Sequence, residues 1–297
     1  MSRTVSRPVF FIGMPRSGTT IAFEAFAQHP QLAWVSNYCR MWPSSPAANF
    51  LRRVFDNPVV RLKGHKKQYG KASKFNILFP QPDEAYEFWD HHTGVDFARD
   101  ALPEAEASEA TAKRVRKAVA AVSRWQGRER FAAKLTGPPR IRYLASIFPD
   151  ALFVHVLRDA RAVTHSLLRV PFWKAKGGYD GPFWQGLLSA DDVARWETEG
   201  NDPGVLAALQ WRRVCEQVEG QAAALGSDQL MTLTYEQFTA APHDSLDEVA
   251  RFCGLDASPE PGRWIDQGAD LKNMNDKYRT DFSPDYIARL NALLGDA

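Results

Sequence analysis

The sequence predicts an α/β fold of three layers, P-loop-like in plan: a central parallel sheet, helices on both of its faces, and a helical insertion capping one end. Three observations predict it. Apolar runs with the length of buried strands alternate with helix-like segments, the pattern of parallel strands joined by crossover helices. The first run, residues 9–12, feeds a glycine-bounded turn and then a helix, which is the layout of a phosphate-binding loop. A comparable run, residues 152–157, ends on Arg158-Asp159 and is again followed by a helix.

Size and composition fit one domain spanning 1–297. A chain of 297 residues that is 44% hydrophobic buries a sizeable core. The formal net charge of +2 argues against a dedicated nucleic-acid binder and leaves room for a local basic pocket. The three cysteines, Cys39, Cys215 and Cys253, are scattered and odd in number; no disulfide framework or metal spacing is visible, which points to a reducing compartment. The chain enters its first strand at once, without the apolar core of a signal peptide. No apolar run approaches the ~18 residues of a membrane span. The expectation is a cytoplasmic protein.

The elements follow in order. Residues 9–12 form strand one and residues 19–28 the helix after the loop, apolar on most sides and ended by His29-Pro30. Residues 32–35 suit a second strand. Residues 40–130 loosen under repeated prolines and are expected as a mostly helical insertion over one end of the sheet, with a helix over 108–125 carrying Val115, Val119 and Val122. Within this region 61–74 is a basic run. Residues 131–134 are a short strand ending in Lys134. Ile141, Leu144, Ala145 and Phe148 mark a helix, 152–157 a buried strand and 160–169 a helix. Residues 171–204, rich in Gly and aromatics (Trp173, Tyr179, Trp184, Trp196), are expected as a lid, its aromatics either stacking on an acceptor or forming its core. A long helix over 205–225, a strand over 230–235, a helix through Leu246 and Val249, and a proline-started helix after Ser283 complete the chain.

The chemistry centres on Gly13-Met14-Pro15-Arg16-Ser17-Gly18-Thr19-Thr20. A strand feeding a glycine turn and a helix N-terminus presents backbone N–H groups and a helix dipole to an anion. Ser17, Thr19 and Thr20 add hydroxyls, and Arg16 adds a fork suited to phosphate or sulfonate oxygens. The position where an ATP-binding loop carries lysine is Thr19, and Arg158 stands at the strand end where a Mg²⁺-binding acid is wanted. The donor expected is therefore a nucleotide with a second phosphate, held without metal.

These residues resemble the sulfotransferases that use 3′-phosphoadenosine 5′-phosphosulfate (PAPS), in particular the bacterial and tyrosylprotein subgroup with arginine in the loop. Pro15-Arg16-Ser17-Gly18-Thr19-Thr20 is similar to their 5′-phosphosulfate loop. Arg158 and Ser166, eight residues apart, are similar to their 3′-phosphate motif. Lys134 matches a lysine near the transferred group. Tyr235-Glu236-Gln237-Phe238 resembles a segment whose tyrosine lies by the adenine, and Lys277-Tyr278-Arg279 a C-terminal motif that closes over the nucleotide. The resemblance implies transfer of a sulfonate to a hydroxyl, or less readily an amine, with PAPS as co-substrate, adenosine 3′,5′-bisphosphate (PAP) as product, and no metal. The acceptor is left open among glycan, glycolipid, peptide tyrosine and small molecule. A homodimer is allowed, not required.

The catalytic base is the open position. The histidine that many members place two residues after the lysine is Thr136 here, and the stretch 35–38 lacks the glutamate of the tyrosylprotein enzymes. Glu84, which resembles an acidic position of bacterial members, is the first candidate; His91 and His92 are the others. Two rivals remain in view: a P-loop kinase using ATP, which the missing loop lysine opposes, and a nucleotide-binding protein without catalysis, which the missing base would suit.

Overall fold

The computed structural model describes residues 5–57, 59, 78–223, 225–268 and 271–294. The basic run at 61–74 lies outside them. Five strands, β1 (Val9–Gly13), β2 (Leu32–Trp34), β3 (Arg130–Thr136), β4 (Leu152–Leu157) and β5 (Leu230–Thr234), form one parallel sheet in the order β2-β3-β1-β4-β5. β1 is central, with Phe11 in register with Lys134 on one side and Val154 on the other. All five of its residues are buried, as a strand covered on both faces requires.

Successive side chains of β1 point to opposite layers. Phe10 meets Trp89, Phe131, Phe148 and Phe153, at centroid distances of 5.7–6.5 Å. Phe11 meets Phe23 at 5.3 Å and Phe26 at 5.1 Å. The Phe10 layer is built from the helices Tyr86–Thr93, Glu109–Gln126 and Ile141–Ile147. The Phe11 layer is built from Thr19–Phe26, Pro242–Cys253 and Glu260–Asp266. Each buried phenylalanine contributes roughly 1.5–3 kcal/mol, so β1 is pinned from both sides. A third cluster joins the helices Ala160–Leu167 and Pro203–Ala222 to the aromatic stretch between them.

Three expectations change. The helix expected over 108–125 runs Glu109–Gln126, capped by Ser108, whose Oγ accepts from the Thr111 amide at 3.2 Å. It is not part of a cap: Val115, Val119 and Val122 are fully buried in the core that holds Phe10, so it is a sheet-covering crossover helix. β3 extends to Thr136, so Lys134 lies inside the strand instead of at its end. Residues 171–204 are not a free lid. Trp173, Trp184 and Trp196 are buried, and Trp173 stacks on Phe183 at 4.6 Å. Tryptophan area of this size packs into a core wherever neighbours allow. Among the described residues, no helix is long and apolar enough to cross a membrane.

The strand order positions the site. The connection leaving β1 runs towards β2, and the one leaving β4 runs the other way, towards β5. The crevice between their carboxyl ends is a topological switch point, where sheets of this type bind ligands.

Candidate active site

The turn after β1 is held by its own backbone. The Ser17 amide and hydroxyl both donate to the Met14 carbonyl, at 3.2 and 2.6 Å. Gly18 takes a φ of +90° and opens the helix Thr19–Phe26 with no side-chain cap, which leaves first-turn N–H groups for an anion. A Cβ at Gly18 would sit 2.6 Å from the Tyr235 ring, so the tight approach itself requires glycine. Arg16 also has a positive φ, +75°, a conformation uncommon outside glycine and frequent at functional turns.

The turn and the end of β4 are tied together. Arg158 donates from one guanidinium nitrogen to the Arg16 carbonyl and from Nε to Asn275 Oδ1, both at 2.8 Å. Its guanidinium lies 4.2 Å from the Tyr235 ring centre, a cation–π contact. Burial is the main cause pulling the Arg158 pKa down from its usual value. Asp159 serves a structural end: it accepts from the Ala162 amide at 3.0 Å, capping the next helix, and pairs with Arg161. That helix carries Ser166, whose Oγ accepts from Arg16 Nε at 2.9 Å.

Between these elements lies a cleft of about 470 Å³. Arg16, Arg158, Arg169, Lys272 and Lys277 bring five basic side chains to its lining. Gly18, Thr19, Thr20, Ser166 and Tyr235 line it as well. Tyr235 is fixed by its hydroxyl, which donates to the Lys272 carbonyl at 2.7 Å. A pocket with this many cations and an uncapped helix start suits a ligand with more than one anionic group.

Lys134 stands behind the loop helix. It is 3% exposed and donates from Nζ to Thr20 Oγ1 at 2.8 Å. Glu84 Oε1 is 3.5 Å from the same Nζ and accepts from Thr136 Oγ1 at 2.6 Å. Tyr86 closes the group: its hydroxyl donates to the Thr136 carbonyl at 2.9 Å and accepts from the Thr136 amide at 3.1 Å. Burial drives the Tyr86 pKa up, so the phenol stays protonated. Glu84 is delivered by a segment that runs antiparallel to the chain after β2, with the Asp83 amide on the Val35 carbonyl at 2.9 Å. The Ala85 amide on Asp83 Oδ1, at 2.9 Å, then turns the chain into the helix Tyr86–Thr93.

The sequence model of the sulfotransferase family matches residues 8–259. The chain belongs to that family. Solved structures agree on the fold. Sulfotransferase STF1 of Mycobacterium tuberculosis aligns with a TM-score of 0.59 at 17% identity, over 99% of this chain and 78% of its own. Sulfotransferase STF9 of Mycobacterium avium aligns with 0.59 at 18% identity, over 97% and 75%. The sulfotransferase domain from the curacin biosynthetic pathway aligns with 0.50 at 12% identity, over 98% of both chains. The family match ends before Lys272 and Lys277, which line one side of this sulfotransferase's cleft, and before Asn275, which holds Arg158.

Of the residues singled out in the sequence, Arg16, Gly18, Thr19, Thr20, Arg158, Ser166, Tyr235 and Lys277 come together on the cleft. Lys134 and Glu84 adjoin it through Thr20. The Ser17 hydroxyl is spent inside the turn. His91 and His92 are not brought to Lys134: they lie on the last turn of their helix, about 8 Å along its axis from Tyr86. His92 is buried against Phe88, and burial followed by the nearby His91 and Arg114 charges pulls its pKa down to about 4. The sequence reading missed Arg169, Lys272, Asn275 and the part played by Thr136. Arg169 was within reach, since the sequence predicts a helix as far as Arg169; the helix ends at Leu167 and Arg169 lies in the turn beyond it. Asn275 has no local signature.

Proposed function

We propose that the enzyme transfers the sulfonate of PAPS to a hydroxyl acceptor by in-line displacement. The observation that carries this reading is the 2.9 Å hydrogen bond from Arg16 to Ser166. It joins the two anion motifs, which lie far apart in sequence, at one cleft, as a nucleotide phosphorylated at both ends of its ribose requires.

The residues take roles that follow from their chemistry. The loop amides, Arg16, Thr19 and Thr20 receive the 5′-phosphosulfate. Arg158 and Ser166 receive the 3′-phosphate, Tyr235 the adenine, and Lys277 covers the nucleotide. The acceptor oxygen attacks sulfur as the bridging S–O bond breaks. The electron pair goes to the phosphate oxygen, where Lys134 and Arg16 stabilise the charge. The acceptor proton goes to Glu84, whose carboxylate is oriented by Thr136 and lies beside Lys134. Positioning and charge stabilisation supply most of the acceleration in this class of transfer.

The direct test is to offer ³⁵S-labelled PAPS with a library of hydroxyl compounds and identify the labelled product by mass. Label on a hydroxyl oxygen supports the reading. Bisphosphate binding with no transfer to any acceptor, or to water, would instead identify a binding protein without catalysis. We also read the chain as one domain acting in the cytoplasm, supported by three free thiols; recovery in a secreted or envelope fraction would overturn that.

A further inference from the structure

One wall of the donor cleft comes from the chain between Leu271 and Phe282, which contains the short helix Lys277–Asp281. Three ties hold this segment to the rest of the molecule. The Lys272 carbonyl accepts from the Tyr235 hydroxyl at 2.7 Å. Asn275 Oδ1 accepts from Arg158 at 2.8 Å, and its amide nitrogen donates to Glu236. Asp281 Oδ2 is shared by His165 Nε2 and an Arg169 guanidinium nitrogen, each at 2.8 Å. Each tie has an inner partner, Tyr235, Arg158, His165 or Arg169, that itself lines the cleft. These polar ties fasten the segment to groups around the ligand space, while Leu271 and Phe282 at its ends pack against the core.

The third tie differs from the other two. It is a carboxylate held between an imidazole and a guanidinium, and two of the three side chains are accessible: Asp281 is 41% and Arg169 48% exposed. His165 is buried, with Phe282 edge-on to its ring at 5.3 Å. Arg169 lies in the turn after the helix that carries Ser166, with its amide on the Ser166 carbonyl at 3.3 Å, and its guanidinium also donates to the His165 carbonyl at 3.2 Å. An exposed arginine left alone samples many rotamers, and ordering it costs entropy on binding. A carboxylate that fixes it beforehand removes part of that cost.

We propose that Asp281 is a positioning residue for the donor: by bridging His165 and Arg169 it clamps segment 271–282 over the 3′-phosphate end of the cleft and presents Arg169 as a further cation for that phosphate. The proposal rests on the reading of the cleft as a PAPS site. It predicts a loss confined to ligands that carry a 3′-phosphate.

The test is calorimetric titration of adenosine 3′,5′-bisphosphate and of adenosine 5′-monophosphate into the full chain and its variants. Asp281→Ala weakens the bisphosphate about tenfold, the scale of charge-assisted hydrogen bonds at a half-exposed site, and changes the monophosphate less than twofold. Asp281→Glu restores most of the loss. Arg169→Met added to Asp281→Ala costs less than Arg169→Met alone, because the two act together. Asp281→Asn, which keeps the side-chain shape, repeats the comparison should the alanine variant melt early. Unchanged bisphosphate affinity in Asp281→Ala overturns the proposal. Tighter binding also overturns it, since Asp281 would then compete with the phosphate. Equal losses for both nucleotides reduce Asp281 to a structural role. A wild-type chain that binds no bisphosphate contradicts the reading of the cleft, a result distinct from all of these.

Discussion

The donor cleft and the acceptor side of this sulfotransferase are built by different rules. The cleft between β1 and β4 is made from short contiguous motifs at strand ends, each with its own turn or helix start. The group around Glu84, which we propose as the acceptor side, and the aromatic core after Pro171 are assembled from residues that meet only in the fold. Glu84 reaches Lys134 and Thr136 because segment 81–84 docks beside the chain after β2. Trp184 reaches the turn after β3 because Gly137 leaves room: a Cβ there would be 2.7 Å from its ring. The lesson is that a phosphate-binding turn carries its geometry locally, whereas the carboxylate proposed as proton acceptor and its orienting partners do not.

Variants can break or sharpen this contrast. The largest stability loss is expected where residues 171–204 were read as a lid. Trp173 is 0% exposed, stacked on Phe183 and tilted against Trp184, so Trp173→Ala costs roughly 3–5 kcal/mol in denaturant unfolding. A free lid would lose almost nothing. In catalysis the largest effect falls on Lys134→Met, with kcat down about 10²–10³-fold while bisphosphate affinity changes little. A rise in donor KM with kcat intact would move Lys134 from the reacting group to the binding site.

Acid should erode the fold itself. Burial lowers His155 within β4, as it lowers His92, to a pKa of about 4 from 6.5. Both stay neutral in the folded protein at pH values where the unfolded chain takes up protons. Stability is thus full above about pH 6.5 and falls as the pH drops towards 4, by up to ~3 kcal/mol for His155. Denaturant midpoints across this range measure it, and His155→Gln should flatten the slope. The smallest effect is on the loop: Gly18→Ala, at φ +90° and against Tyr235, should cost about 1–2 kcal/mol and weaken nucleotide binding. Wild-type affinity in that variant would mean that the turn and Tyr235 can separate freely.

How much was legible follows the same division. The central strands read well because parallel strands buried on both faces are nearly continuous apolar runs, as in β1. Arg16, Arg158 and Ser166 were legible because each has a fixed offset from a strand end. The 109–126 helix was legible as a helix but not as a sheet-covering layer, since periodicity shows an apolar face without saying what covers it. Lys134 read as a strand-end lysine, because nothing in Phe131-Ala132-Ala133-Lys134 signals that pairing with β1 carries the strand on to Thr136. Thr136 was noted only as the place where a histidine was missing, and its bond to Glu84 spans two segments with no shared motif. Asn275, which orients Arg158 across 117 positions, belongs to the same class.

The central claim is that the loop with arginine in place of lysine belongs to a sulfonate donor. Calorimetric titration of adenosine 3′,5′-bisphosphate in the presence of a chelator tests it most directly, with ATP and Mg²⁺ as the competing ligand. The account predicts one bisphosphate bound per chain without metal, an affinity reduced at least about tenfold by Arg158→Ala, and ATP bound far more weakly. Mg²⁺-dependent ATP binding with no uptake of the bisphosphate would contradict it.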